Sequence, residues 1–120
     1  MPGKNVLLLF RNQANITVMS DVLVKNGYRV LSASTYNDYD SLIEKSGDPV
    51  SVILADISGF DENIWRRFQR AKDLSIPLLV ISPRENLTMQ KESISHGARG
   101  IMSKPLAVAE LLKVLSELTL

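Results

Sequence analysis

Three polar residues at the ends of apolar runs are the first candidates for chemistry. Asp56 closes Val52-Ile53-Leu54-Ala55, Ser82 closes Leu79-Val80-Ile81, and Lys104 follows Ile101-Met102-Ser103 and precedes Pro105. Any one of them alone reads as an ordinary strand-ending residue. If the runs are parallel strands of one sheet, all three converge on one edge, with a carboxylate, a hydroxyl and an ammonium in mutual reach. A cation beside a carboxylate holds it ionised. The other reactive side chains offer less. His96 is the single histidine, it has no cysteine to share a metal with, and it precedes Gly97 at a helix end, where a cation suits the helix dipole. Phe10-Arg11-Asn12-Gln13-Ala14-Asn15 contains no glycine, against a dinucleotide-binding loop. Ser20, Ser32 and Ser34 lack the setting of a strained nucleophile turn.

The elements that must position these residues are legible in the pattern. Val6 to Phe10, Val50 to Ala55 and Leu78 to Ile81 are short apolar runs without alternation, as parallel strands covered on both faces require. Tyr28 to Leu31 and Arg99 to Met102 are weaker strand candidates. Helical patterns lie between them. Ile16, Met19, Val22 and Leu23 line a first helix stopped by Gly27; Tyr39, Leu42 and Ile43 a second stopped by Gly47. Ile64, Trp65, Phe68 and Ala71 line a third, with Asp61 and Glu62 near its start; Leu87, Met89 and Ile94 a fourth stopped by Gly97. The fifth begins near Ala107 and turns Leu111, Val114, Leu115 and Leu118 inward. Pro77 opens a strand and Pro105 follows one, both tolerated positions. Five strands alternating with five helices predict one α/β domain over residues 1–120, a doubly wound parallel sheet in the order 2-1-3-4-5. Its crevice should open at the carboxyl ends of the first and third strands.

Composition narrows the function classes. The chain has 120 residues, 45% of them hydrophobic and 22% charged, enough for one packed core. There is no cysteine, which excludes disulfides and thiolate metal sites and suits a reducing compartment. With 14 basic and 13 acidic residues, and Trp65 the sole tryptophan, no surface for direct nucleic-acid binding is expected. No apolar run is long enough to span a bilayer, and no signal-peptide core follows Met1-Pro2-Gly3-Lys4, so a cytoplasmic location is expected.

Across nearly its whole length the sequence resembles the receiver domains of response regulators, the flavodoxin-like domains of two-component signalling. The resemblance is firmest at Ile53 to Ile57, Pro77 to Ser82 and Ser95 to Pro105. It implies that Asp56 is the phosphoacceptor position, that Ser82 would hydrogen-bond a phosphoryl oxygen, and that Lys104 would offset its charge. Phosphorylation adds nearly two negative charges, which a donor and a cation can answer. The family also places two carboxylates after the first strand to hold Mg²⁺. Those positions are Phe10 and Arg11 here, and no Asp or Glu precedes Asp21. Neither side chain ligates a hard cation, so no metal is expected to bind, unless Asp61 or Glu85 substitutes. Pro83 follows Ser82 where a small residue is usual. Ile101 stands at the switch position normally held by Tyr or Phe, and Ile57-Ser58-Gly59-Phe60 lacks the usual proline.

Two points stay open at this level. Arg11 either pairs with Asp56 together with Lys104, replacing the metal, or points into water. Val108 and Leu112 either belong to a wide buried stripe or form, with Lys91 and Arg99, a partner face on the fourth helix, fifth strand and fifth helix. The expected function is that of an atypical, non-enzymatic receiver domain, acting through a histidine kinase, an output domain or self-association as a dimer, as part of a transcriptional regulator or as an adaptor. A conventional phosphoacceptor receiver and a small flavodoxin-like enzyme or ligand-binding domain are the alternatives.

Overall fold

The computed structural model describes residues 4–45, 49–84 and 86–120. Its elements run β1 (Asn5–Leu9), α1 (Gln13–Lys25), β2 (Arg29–Ala33), α2 (Tyr36–Lys45), β3 (Val52–Asp56), α3 (Ile64–Asp73), β4 (Leu78–Ser82), α4 (Leu87–Ser95), β5 (Gly100–Ser103) and α5 (Val108–Leu118). All neighbouring strands pair in parallel in the order β2-β1-β3-β4-β5. The fold is the doubly wound α/β sheet that the sequence predicts.

Why the central strands read as unbroken apolar runs is now plain. Successive side chains of a strand point to opposite faces, and both faces are covered. Leu7, Ile53 and Val80 pack with Tyr39 of α2 and with Ile64, Phe68 and Ala71 of α3. Val6, Leu8, Leu54 and Ile81 pack with Ile16 and Leu23 of α1 and with Leu111 and Leu115 of α5. The weaker signal of β2 has the matching cause: at the sheet edge, Arg29 and Ser32 are exposed.

Side chains set the helix ends. The Asn12 and Asn86 side chains accept from the N–H groups of Asn15 and Met89, capping α1 and α4. Thr35 Oγ1 accepts from the Asp38 N–H at the start of α2. Gly27 and Gly97 follow α1 and α4 at φ +89° and +107°, a backbone that L side chains rarely adopt. Gly97 is doubly constrained, because a Cβ there would meet the Lys72 side chain at 3.0 Å. The expected stop of α2 at Gly47 lies outside the described residues.

One helix is oriented differently from expectation. In α4, Leu87 and Ile94 are 65% and 52% exposed, while Ser93 is buried and Met89 packs against the core. Ser93 sits inside at no loss of hydrogen bonding, since its hydroxyl donates to the Met89 carbonyl at 2.7 Å. Asp61 and Glu62 lie just before α3, near its start as expected.

Candidate functional site

Parallel pairing brings the carboxyl ends of β3, β4 and β5 level. Asp56 stands opposite Ile81, and Ser82 opposite Ser103. The Lys104 N–H donates to the Ser82 carbonyl at 3.0 Å, which fixes where its side chain starts. From there Lys104 Nζ reaches Asp56 Oδ2 at 2.8 Å. The same ammonium donates to Ser58 Oγ at 3.2 Å, and the Ser58 N–H donates to Asp56 Oδ1 at 3.0 Å. Both oxygens of the carboxylate are therefore engaged, and Asp56 is only 5% exposed. Sequence reasoning places Ser58 in the loop after Asp56 without a role: its contact to Asp56 is made by the backbone, and its hydroxyl meets Lys104 only through the loop's conformation, which residue type does not set.

Ser82 is level with this pair but does not join it. Its hydroxyl, fully buried, donates to the Pro83 carbonyl at 3.0 Å and accepts from Gln90 Nε2 at 3.4 Å. Gln90 Nε2 also donates to the Pro83 carbonyl, tying α4 to the end of β4. The expected mutual reach of carboxylate, hydroxyl and ammonium thus holds for Asp56 and Lys104, while the hydroxyl is spent on the α4 side. Ile101, paired with Val80, packs partly buried against the α2–α3 side of the core.

Phe10 and Arg11 diverge after β1. Phe10 is 3% exposed and belongs to the α1–α5 side of the core. Arg11 is exposed, and its Cβ and Cγ lie over Gly59, the nearest atoms to a Cβ built there. Gly59 has φ +83°, so its bare backbone suits both the turn and this close approach. The pairing of Arg11 with Asp56 is not formed: among the described residues Lys104 alone makes an ion pair with Asp56. A guanidinium on an exposed loop keeps its hydration, and burying it beside an already paired carboxylate would cost more than the contact returns.

Other charged groups near the carboxyl edge form a separate network. Tyr36 donates to Asp61 Oδ1 at 2.7 Å, and Arg67 grips Asp40 through Nε and Nη2 at 3.2 and 2.7 Å. The Arg67 guanidinium also lies 4.3 Å from the Tyr36 ring centroid. The hydrogen bond from Tyr36, first among its causes, holds the Asp61 carboxyl below its ordinary pKa. Asp61 is thereby committed to Tyr36 and Asn63; Glu85 lies outside the described residues. No cluster of three or more metal-ligating side chains occurs among the described residues. His96 caps α4, stacks on Trp65 with centroids 5.0 Å apart, and keeps Nδ1 2.8 Å from the Glu92 carbonyl.

On the fourth-helix side, Lys91 and Arg99 are exposed and Val108 is 47% exposed. Leu112 is half-buried and packs against the α1–α5 core, so that residue belongs largely to the buried stripe. Leu87, Lys91 and Ile94 form an outward row on α4, at the i, i+4, i+7 spacing of one helix face. No helix among the described residues is long and apolar enough to cross a membrane.

No family model matches the chain, and no curated protein does. Solved structures do. A response regulator receiver domain protein from Clostridium thermocellum matches with a TM-score of 0.84 at 13% identity, covering 97% of this chain and 94% of that one. A response regulator from Thermotoga maritima matches at 0.82 and 16%, covering 98% of each. The receiver domain of a sensor histidine kinase from Pseudomonas aeruginosa, solved with magnesium coordinated in its active-site cleft, matches at 0.82 and 20%, covering 98% of each. At such low identity these likenesses speak for the fold, and the fold this chain adopts is that of response regulator receiver domains.

Proposed function

We infer that this chain is a receiver-type domain of two-component signalling that works by protein contact and is not switched by magnesium-dependent phosphorylation. One observation carries the reading. Asp56, at the position of a phosphoacceptor, is held by Lys104 at 2.8 Å and by the Ser58 N–H, while the adjacent end of β1 supplies a buried phenyl ring and an exposed guanidinium. A magnesium ion demands near-octahedral oxygen coordination and usually takes one or two carboxylates. Asp56 offers one, already engaged. Without a cation to bridge an incoming phosphoryl group, Asp56 is a poor acceptor. The domain is then a non-enzymatic scaffold, with a cytoplasmic kinase, an output domain or a second copy as its partner, and direct contact to nucleic acid is left to other modules.

The conventional reading, with Asp56 phosphorylated by a histidine kinase, is favoured by the retained Asp56–Lys104 pair. Acetyl phosphate with Mg²⁺, followed by intact-protein mass spectrometry, separates the two. The expected result is an unchanged mass. A stoichiometric phosphoryl adduct that disappears in Asp56→Asn establishes the conventional switch instead.

A further inference from the structure

Beside the Asp56–Lys104 pair lies a cavity of about 300 Å³. Its walls are Phe10, Val18, Met19, Ile81, Pro105 and Leu106. Phe10 and Ile81 are 3% and 1% exposed, so the sheet-side wall is fixed by core packing and exists before anything binds. Val18, 65% exposed on α1, stands at the rim. The volume and the apolar lining with few convergent polar groups are those of a small-molecule site, at the lower end of the usual range.

The polar groups state what such a molecule must carry. Asp56 and Lys104 neutralise each other at 2.8 Å, so the polar floor of the cavity has no net charge. An ammonium has three N–H donors, and two of them serve Asp56 Oδ2 and Ser58 Oγ. The third is free. Asn15 adds a side-chain amide at the cavity wall. A ligand carboxylate placed to meet Lys104 would lie against the Asp56 carboxylate, and one facing Phe10 and Met19 would lose its hydration unpaid. A ligand cation would meet the Lys104 ammonium.

The geometry points to this cavity as a binding site for a small, uncharged, mainly apolar molecule bearing one hydrogen-bond acceptor, such as a single-ring aryl ketone or amide, with the acceptor on Lys104 Nζ. Such a ligand bridges α1 to the turn before α5. The inference rests on the reading that no cation occupies the cleft, and its test keeps the two apart.

NMR titrations of the whole chain with acetophenone, benzoate and toluene provide the test. Acetophenone is expected to shift the Val18, Met19 and Leu106 methyl signals saturably. It should bind at least about tenfold more tightly than toluene, the worth of one hydrogen bond from a charged donor, and more tightly than benzoate. Val18→Trp, a change at an exposed rim position that fills the mouth, should abolish the shifts. Lys104→Met should bring acetophenone down to the level of toluene. Absence of saturable shifts, equal affinity for all three probes, or binding that survives Val18→Trp overturns the proposal. Magnesium chloride is titrated in parallel without probe: shifts centred on Asp56 would refute the cation-free reading, whereas ligand binding is scored on the methyl signals alone.

Discussion

The Asp56 side chain is 7% exposed and that of Lys104 is 37%, and this asymmetry decides what each partner loses when the other is removed. Lys104→Met leaves a nearly buried carboxylate with, among the described residues, only the Ser58 N–H, a loss of about 1–3 kcal/mol of stability. Asp56→Asn leaves an ammonium that can turn to water, so its cost should be under about 1 kcal/mol. Urea unfolding of both single variants and the double variant should return a coupling of about 1 kcal/mol; additive effects would mean that the pair contributes nothing. A second residue-scale test concerns Tyr36. Partial burial first, then the hydrogen bond to Asp61, push its hydroxyl up to about 12 from 10.0. The raised value means that the neutral phenol is favoured in the fold. Its contribution is complete below pH 10 and is lost as pH climbs towards 12. Tyrosinate absorbance of the folded chain should show a transition near pH 12 that is missing in Tyr36→Phe, whose stability should also fall less across that interval. If the transition that Tyr36→Phe removes lies instead at the ordinary value of 10.0, the Tyr36–Asp61 bond is contradicted.

At the scale of elements, legibility followed how strongly each one is buried. The three central strands read directly from Val6 to Phe10, Val50 to Ala55 and Leu78 to Ile81, because a strand covered on both faces has no room for polar side chains. Helix α4 misled for the opposite reason. It is short and nearly without apolar contrast, and a serine whose hydroxyl bonds back to its own helix can replace an apolar residue inside. Its apolar residues Leu87 and Ile94 were left outside, alongside Lys91. Whether this mixed row takes part in self-association can be tested at Ile94. Ile94→Glu should change stability by less than about 0.5 kcal/mol, since the site is exposed, and should weaken self-association in sedimentation velocity. A wild type that is already monomeric, with unchanged mass for the variant, would remove the dimer.

For the molecule as a whole, alternation of strands and helices was enough to predict the sheet order, because parallel crossovers admit few topologies. The same topology brought Asp56 and Lys104 together from positions far apart in sequence. Side-chain direction at the loop tips was beyond such reasoning. Nothing in residue type decided whether Arg11 would lie against Asp56 or over Gly59, or whether the Ser82 hydroxyl would face the carboxylate or Pro83. The proposed function therefore turns on one cleft, where a lysine and a backbone N–H stand around a carboxylate and no cluster of three or more metal-ligating side chains occurs among the described residues. Paramagnetic broadening by Mn²⁺, a stand-in for magnesium, interrogates that cleft most directly. Backbone amide signals of Phe10, Asp56 and Ser58 should broaden no more than those of the surface at large as Mn²⁺ is added. Selective loss of those three signals at stoichiometric metal would contradict a cation-free cleft.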